Sequence, residues 1–161
     1  MQVMAALRFF AGGPYQSYRG EEEYTAMDQL SMSRCISEVA KANYENMMDH
    51  WIKLDLSPES VAGLHEGFYH KYGFPGAIGA LDCAHVAIVA PPVDNPIYMK
   101  RQYYNHKGYH SINVQLVCDS NMRILNVNAR FPGATNDAYI YANSKLRWGL
   151  LQMKERYNFN D

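Results

Sequence analysis

The chain is poor in cysteine and has no long apolar run, and each scarcity excludes a class of protein. Its three cysteines, Cys35, Cys83 and Cys118, are odd in number and widely spaced, and no C-x-x-C pair occurs. This pattern argues against a disulfide framework and a structural zinc site, and it favours a reducing compartment. No apolar stretch approaches the length of a membrane span, and the short apolar N-terminus lacks the flanks of a secretory signal. We therefore expect a protein that is neither secreted nor embedded in a membrane.

An excess of charge of one sign is also lacking. The 15 basic and 16 acidic residues give a formal net charge of −1, so any surface that binds nucleic acid must be local. The 48% hydrophobic content suffices to bury a core, and the 19% charged fraction excludes long disorder. A length of 161 residues allows one ordinary domain, or one small domain joined to part of another.

The first half of the chain has helical periodicity. Helices are predicted at Met1–Ala11, at Tyr24–Gln29 after a polar link (residues 15–23), from Ser31 to Trp51, and from Ser57 to Gly73. Ser57-Pro58 is a typical N-cap with a first-turn proline, and Gly73 is a typical C-terminal glycine. A short helix before a long one also fits a helix-turn-helix, in which Ser33 and Arg34 would contact DNA. An ordinary all-α subdomain fits this pattern equally well.

After Pro75 the pattern changes to strands, so we predict a domain boundary between residues 75 and 76. Strands are predicted at Gly79–Val89, His110–Cys118 and Arg123–Arg130, and a helix at Ala138–Leu151. Asp119-Ser120-Asn121 is a turn sequence between the second and third strands, which makes the strands an antiparallel meander. The order predicts an α/β (α+β) protein. Because a meander with one helix leaves a sheet edge uncovered, we also infer an incomplete domain.

Asp82 is the anomaly of the first predicted strand, because it interrupts an apolar run that is expected to be buried. A buried carboxylate is costly unless it is paired, hydrogen-bonded or bound to a metal. Asp137 begins the last predicted helix and can lie near Asp82 if the meander folds back. Two such carboxylates favour Mg²⁺ or Mn²⁺ and phosphoryl-transfer chemistry. Alternatively, backbone N–H groups or His85 satisfy Asp82, and Asp137 is an ordinary first-turn acidic residue.

The segment Tyr98–His110 is the one local basic patch, and aromatic residues are interleaved with its cations. Lys100, Arg101 and Lys107 are suited to contact phosphates, and the neighbouring tyrosines offer rings for stacking. These features are typical of a nucleic-acid surface. An ordinary exposed loop whose tyrosines fold onto the core has the same composition.

Several sequence blocks occur in a fixed order along the chain. They are Phe74–Ile88, Tyr104–Gln115, Val117–Asp119, Phe131–Asp137 and Asn143–Leu146. Together they resemble the PIF/Harbinger transposase superfamily, and more narrowly its domesticated, transposase-derived nucleases. The segment Leu30–Cys35 also resembles the helix-turn-helix region that precedes the nuclease domain in that family.

The resemblance implies an RNase H-like nuclease domain with a DDE-type site, two divalent metal ions and hydrolysis of DNA phosphodiesters. Asp82 matches the catalytic acid of the first strand, and Asp137 matches the metal ligand of the Pro-Gly-x-x-x-Asp block. A further Asp and a Glu of the family's catalytic set would follow Asp161. We therefore expect a helical, helix-turn-helix-like region at residues 1–75 and only the N-terminal part of the nuclease domain at 76–161, weakly active or inactive alone.

The resemblance also implies DNA as a partner, a Myb-like DNA-binding protein as a second partner, and residence in nucleus and cytoplasm. The alternative is a non-catalytic DNA-binding or scaffolding protein that kept the fold and lost the reaction.

Overall fold

A computed structural model describes residues 2–12 and 29–157 of the chain. The contacts divide the chain into two compact units, Met1–Trp51 and Ile52–Asp161. The predicted polar link (residues 15–23) lies outside the described residues, as does the short predicted helix apart from Gln29. The first helix of the predicted helix-turn-helix is therefore not among them, and that motif stays a prediction.

The N-terminal unit contains helices α1 (Gln2–Gly12), α2 (Gln29–Asn46) and α3 (Met48–Trp51). Its buried side chains are Ala5 and Ala6 on α1 and Met32 and Cys35 on α2. The helix predicted from Ser31 to Trp51 is divided into α2 and α3. The Trp51 side chain at its predicted end is 70% exposed.

The C-terminal unit begins with helix α4 (Pro58–Tyr72), whose ends lie where the sequence predicts them. The Ser57 Oγ accepts a hydrogen bond from the Ser60 N–H at 3.4 Å, and Gly73 follows the helix with φ of 71°. Two side chains at the end of α4 donate to the carbonyl oxygen of Ser120, Lys71 at 2.8 Å and Tyr72 at 3.2 Å. The contacts therefore group α4 with the strands, although the sequence pattern changes between residues 75 and 76.

Three strands, β1 (Ala80–Ala87), β2 (Ser111–Cys118) and β3 (Ile124–Pro132), form an antiparallel sheet in the order β1-β2-β3. The predicted meander is confirmed. The expectation that the Asp82 strand is buried is wrong, because β1 is an edge strand of the described sheet and Asp82 is exposed. Even the apolar Leu81 and Val86 on β1 are 43% and 54% exposed.

The single predicted last helix is two helices, α5 (Asp137–Ala142) and α6 (Lys145–Tyr157). Ser144 divides them, because its hydroxyl donates to the Tyr141 carbonyl at 2.7 Å and accepts from the Arg147 N–H at 3.1 Å. Ile140 on α5 and Leu146 on α6 are buried, and α5 contacts β2. The mixed helix and antiparallel-sheet architecture confirms the α+β class, while the RNase H-like assignment stays a prediction. Among the described residues, no helix is long and apolar enough to cross a membrane.

Candidate functional site

The central strand β2 buries its polar side chains. Ser111, Asn113 and Gln115 are 0%, 1% and 0% exposed, whereas the apolar residues between them are only half-buried. Successive side chains of a strand point to opposite faces, so these three residues share one face of the sheet. The register with β1 places Cys83 opposite Gln115 and His85 opposite Asn113. That face therefore carries a row of polar groups across two strands.

Asp137 lies over this polar face at the first position of α5. The Asn136 side chain caps the helix by accepting from the Ala138 N–H at 2.8 Å. The Asn113 Nδ2 donates to Asp137 Oδ1 at 2.7 Å and to the Thr135 carbonyl oxygen at 2.9 Å. The carboxylate, although exposed, is thus tied to the buried central strand.

Gly133 brings the chain close enough to β2 for this contact. Its N–H donates to the Ser111 carbonyl at 2.8 Å. A Cβ at this position would lie 2.7 Å from the Ser111 carbonyl oxygen and 2.9 Å from the Tyr103 carbonyl oxygen, closer than side-chain carbons pack. Gly133, which follows β3, is therefore needed for the approach and not only for a turn.

Asp82 lies on β1, where its Oδ1 accepts a hydrogen bond from the Cys83 N–H at 2.8 Å. This contact matches one alternative from the sequence, in which a backbone N–H satisfies the carboxylate. Strand alternation puts Asp82 and Cys83 on opposite faces, and the Cys83 side chain is on the face that Asp137 covers.

The pKa of the Cys83 thiol is affected by both predicted site residues, Asp82 and Asp137. The pKa of the Cys83 thiol is raised to about 11, first by burial, then by the negative charge of Asp137 and, with a smaller effect, by that of Asp82. Each of these effects disfavours the thiolate. The negative charges of both carboxylates therefore act on the Cys83 thiol, although strand alternation directs the Asp82 side chain to the opposite face of the sheet.

Strand alternation directs the Asp82 side chain away from the face that Asp137 covers, so the described structure does not bring the two carboxylates together as metal ligands. Within the described part of the chain, no group of three or more His, Cys, Asp or Glu side chains could hold a metal ion. The buried Asn113 Oδ1 beside Asp137 has no hydrogen-bond partner in that part of the chain. Carboxylate and amide oxygens are hard donors, which fit Mg²⁺ or Mn²⁺ better than a soft metal.

The predicted nucleic-acid residues are all exposed but lie in different places. Lys100 and Arg101 lie in a short 3-10 helix (Lys100–Tyr103), and Lys107 lies in the following turn. Ser33 and Arg34 lie on α2 of the N-terminal unit.

The turn that carries Lys107 is held by a buried side chain. Asn105 is 2% exposed, and its Oδ1 accepts from the N–H groups of Lys107 at 2.9 Å and Tyr109 at 3.3 Å. Its Nδ2 donates to the Ser111 hydroxyl at 2.8 Å. Gly108 completes the turn with φ of 87°. Lys107 is thus presented on a fixed turn.

Sequence reasoning missed Asn113, Asn105 and Cys83 as site residues. The signal for Asn113 was present, since polar and apolar residues alternate along β2, but alternation does not say which face is buried. The sequence shows Asp82 next to Cys83, but nothing in the local pattern indicates that the charge of Asp137 also acts on this thiol.

Comparisons with known proteins find a family match over the segment that contains β1 and α5. Residues 81–158 match the family described as DDE superfamily endonuclease. This segment is similar to the DDE superfamily endonucleases, and the resemblance to the Harbinger transposase-derived nucleases is confirmed.

Among individual relatives, the chain is 36% identical over 145 residues to the Bos taurus protein named "Putative nuclease HARBI1", a match that covers 90% of this chain and 39% of that protein. The Homo sapiens protein of the same name is 35% identical over 145 residues, with the same 90% and 39% coverage. "Protein ALP1-like" of Arabidopsis thaliana is 27% identical over 161 residues, covering 98% of this chain and 36% of that protein.

The chain thus spans about two fifths of the length of the curated relatives it matches, 39% for the first two. No solved structure matches it significantly.

Proposed function

We propose that this chain is the N-terminal and early catalytic part of a metal-dependent DNA endonuclease derived from a Harbinger-type transposase. What supports the proposal is that Asp82 and Asp137 both fall inside the segment that matches the DDE endonuclease family, and that Asn113 holds the Asp137 carboxylate through a hydrogen bond. In this proposal both carboxylates are metal ligands, and the protein hydrolyses DNA phosphodiester bonds.

Asp82 and Asp137 would hold Mg²⁺ or Mn²⁺, and an ion bound there would lower the pKa of an attacking water and stabilise the leaving oxygen. The chain's own residues prepare the ligands: Asn113 holds one oxygen of Asp137, and the Cys83 N–H holds one oxygen of Asp82. The remaining acidic ligands, an Asp and a Glu, are predicted to follow Asp161.

DNA would be bound through cationic and polar side chains on both units. Lys100, Arg101 and Lys107 would contact phosphates beside the sheet, and Ser33 and Arg34 would do so from a helix-turn-helix within residues 1–75. A Myb-like DNA-binding partner and residence in nucleus and cytoplasm belong to the same proposal.

The test is a plasmid-nicking assay on the full gene product with Mg²⁺ or Mn²⁺. Asp82→Asn and Asp137→Asn should each reduce cleavage by about 100-fold or more, because loss of a ligand should cost at least as much as loss of a residue that orients one. Asp94→Asn, in an exposed loop after β1, is the matched control and should retain activity. Equal activity of all three variants contradicts the assignment.

The same assay on residues 1–161 should show weak or undetectable cleavage, because the ligand set is partial. Robust cleavage by this chain that depends on Asp82 would contradict the partial set. A full gene product that binds DNA but never cuts it supports the non-catalytic alternative.

A further inference from the structure

Asn113 has an unusual position for an amide side chain. It is 1% exposed on the central strand, and its Nδ2 group donates to two acceptors, Asp137 Oδ1 at 2.7 Å and the Thr135 carbonyl oxygen at 2.9 Å. An amide NH₂ carries two hydrogens, so both are used. Burial of a polar side chain is costly, and here both N–H bonds reach the segment that begins α5.

The acceptors explain what the buried amide does. The bond to the Thr135 carbonyl fixes the backbone two residues before Asp137, and the bond to Oδ1 fixes the carboxylate itself. One oxygen of Asp137 is thereby engaged by a short bond to a neutral donor. The anchor is rigid, because β2 is paired with β1 on one side and with β3 on the other.

We propose that Asn113 is a positioning residue that fixes the orientation of the Asp137 carboxylate for metal binding. The inference rests on the proposed function only in taking Asp137 as a metal ligand. Asn113 does not touch a reacting atom; it acts through Asp137. A purely structural role would need only the bond to Thr135.

The first measurement is the Mn²⁺ affinity of the full gene product, from the electron paramagnetic resonance signal of free Mn²⁺. Asn113→Leu removes the donor at nearly constant volume and should raise the Kd about 10-fold, as loss of a residue that orients a ligand does. Gln115→Met is the matched control, because Gln115 is equally buried on the same face and the hydrogen bond to Asp137 comes from Asn113. It should leave the Kd within about 2-fold of wild type.

The second measurement needs no metal. The side-chain ¹H–¹⁵N resonances of Asn113 should shift in Asp137→Ala and stay in place in Asp82→Asn. Unfolding midpoints of all variants, taken without Mn²⁺, separate loss of stability from loss of affinity.

The outcomes distinguish the two ideas. If Asp137→Ala binds Mn²⁺ as wild type does, or if wild type binds no Mn²⁺, Asp137 is not a metal ligand and the proposed function fails at this residue. The contact between Asn113 and Asp137 is then tested by the Asn113 resonances alone. The inference is overturned if the Asn113 resonances do not shift in Asp137→Ala. It is also overturned if wild type binds Mn²⁺ but Asn113→Leu and Gln115→Met change the Mn²⁺ affinity by the same factor.

Discussion

Removing the charge of Asp137 should make the Cys83 thiol more reactive. The perturbation is Asp137→Asn, which keeps the size of the side chain. In the wild type the pKa of Cys83 is about 11, against an ordinary value of 9.0. An increase of two units in the pKa of the Cys83 thiol reduces its thiolate fraction below pH 9 by about 100-fold. Because Cys83 is only half-buried, solvent screening reduces that factor towards about 10.

Burial is the larger cause of the raised pKa, and burial survives the substitution. The charge of Asp137 comes second and that of Asp82 after it. A like charge at a partly exposed site contributes about half a pKa unit to one unit, so alkylation in Asp137→Asn should be about 3- to 10-fold faster. Asp82→Asn should give a smaller increase.

The assay is timed iodoacetamide labelling at pH 8 followed by peptide mass spectrometry. Cys118 is also half-buried and serves as the internal control for access. The wild-type labelling rate of Cys83 should keep rising with pH towards pH 11. If Asp137→Asn leaves the ratio of Cys83 to Cys118 labelling unchanged, the placement of Asp137 beside Cys83 is wrong.

Three further expectations concern stability. Gly133→Ala should lower the free energy of unfolding by about 3 kcal/mol through the clash with β2. Gly63→Ala, where the added Cβ lies in open space on α4, should raise the free energy of unfolding by about 0.5–1 kcal/mol. Equal effects of the two substitutions in urea denaturation would contradict the close approach of Gly133 to β2. Ser57→Ala should cost about 1 kcal/mol as a lost N-cap, and an unchanged urea midpoint would refute that role. The pKa of Asp55 is lowered, chiefly by the hydrogen bond from the Ser57 N–H. The ionised Asp55 carboxylate therefore stabilises the fold above pH 3.8, and this contribution is lost as the pH falls further. In thermal unfolding, the melting temperature should fall less below pH 4 in Asp55→Asn than in wild type.

The elements of the fold that were predicted well are those determined by residues close together in the sequence. The N-cap at Ser57 and the glycine at 73 define α4 by themselves, because caps act within one turn of the helix. The meander follows from turn residues between apolar runs. Ser144 is also a local signal, but a helix divided by one serine has the same periodicity as a continuous one.

What the sequence could not supply depends on contacts between distant residues. Whether Asp82 is buried depends on which strands flank β1, and the apolar run suggested neighbours that the described sheet lacks. The site contact between Asn113 and Asp137 spans 24 positions, and no local pattern specifies it. The resemblance to a family indicated the two aspartates but not the amide that holds one of them.

The polar buried face of β2 has a consequence for how the sheet folds. If β2 slipped by one residue against its neighbours, Asn113 would turn to the other face and an apolar side chain would meet Asp137. Apolar faces of similar residues tolerate such slips better, since one branched side chain can replace another. Here the hydrogen bonds from Asn113 to Thr135 and Asp137 stabilise only one register of β2. The acidic site therefore forms only in molecules whose strands have already found the correct register.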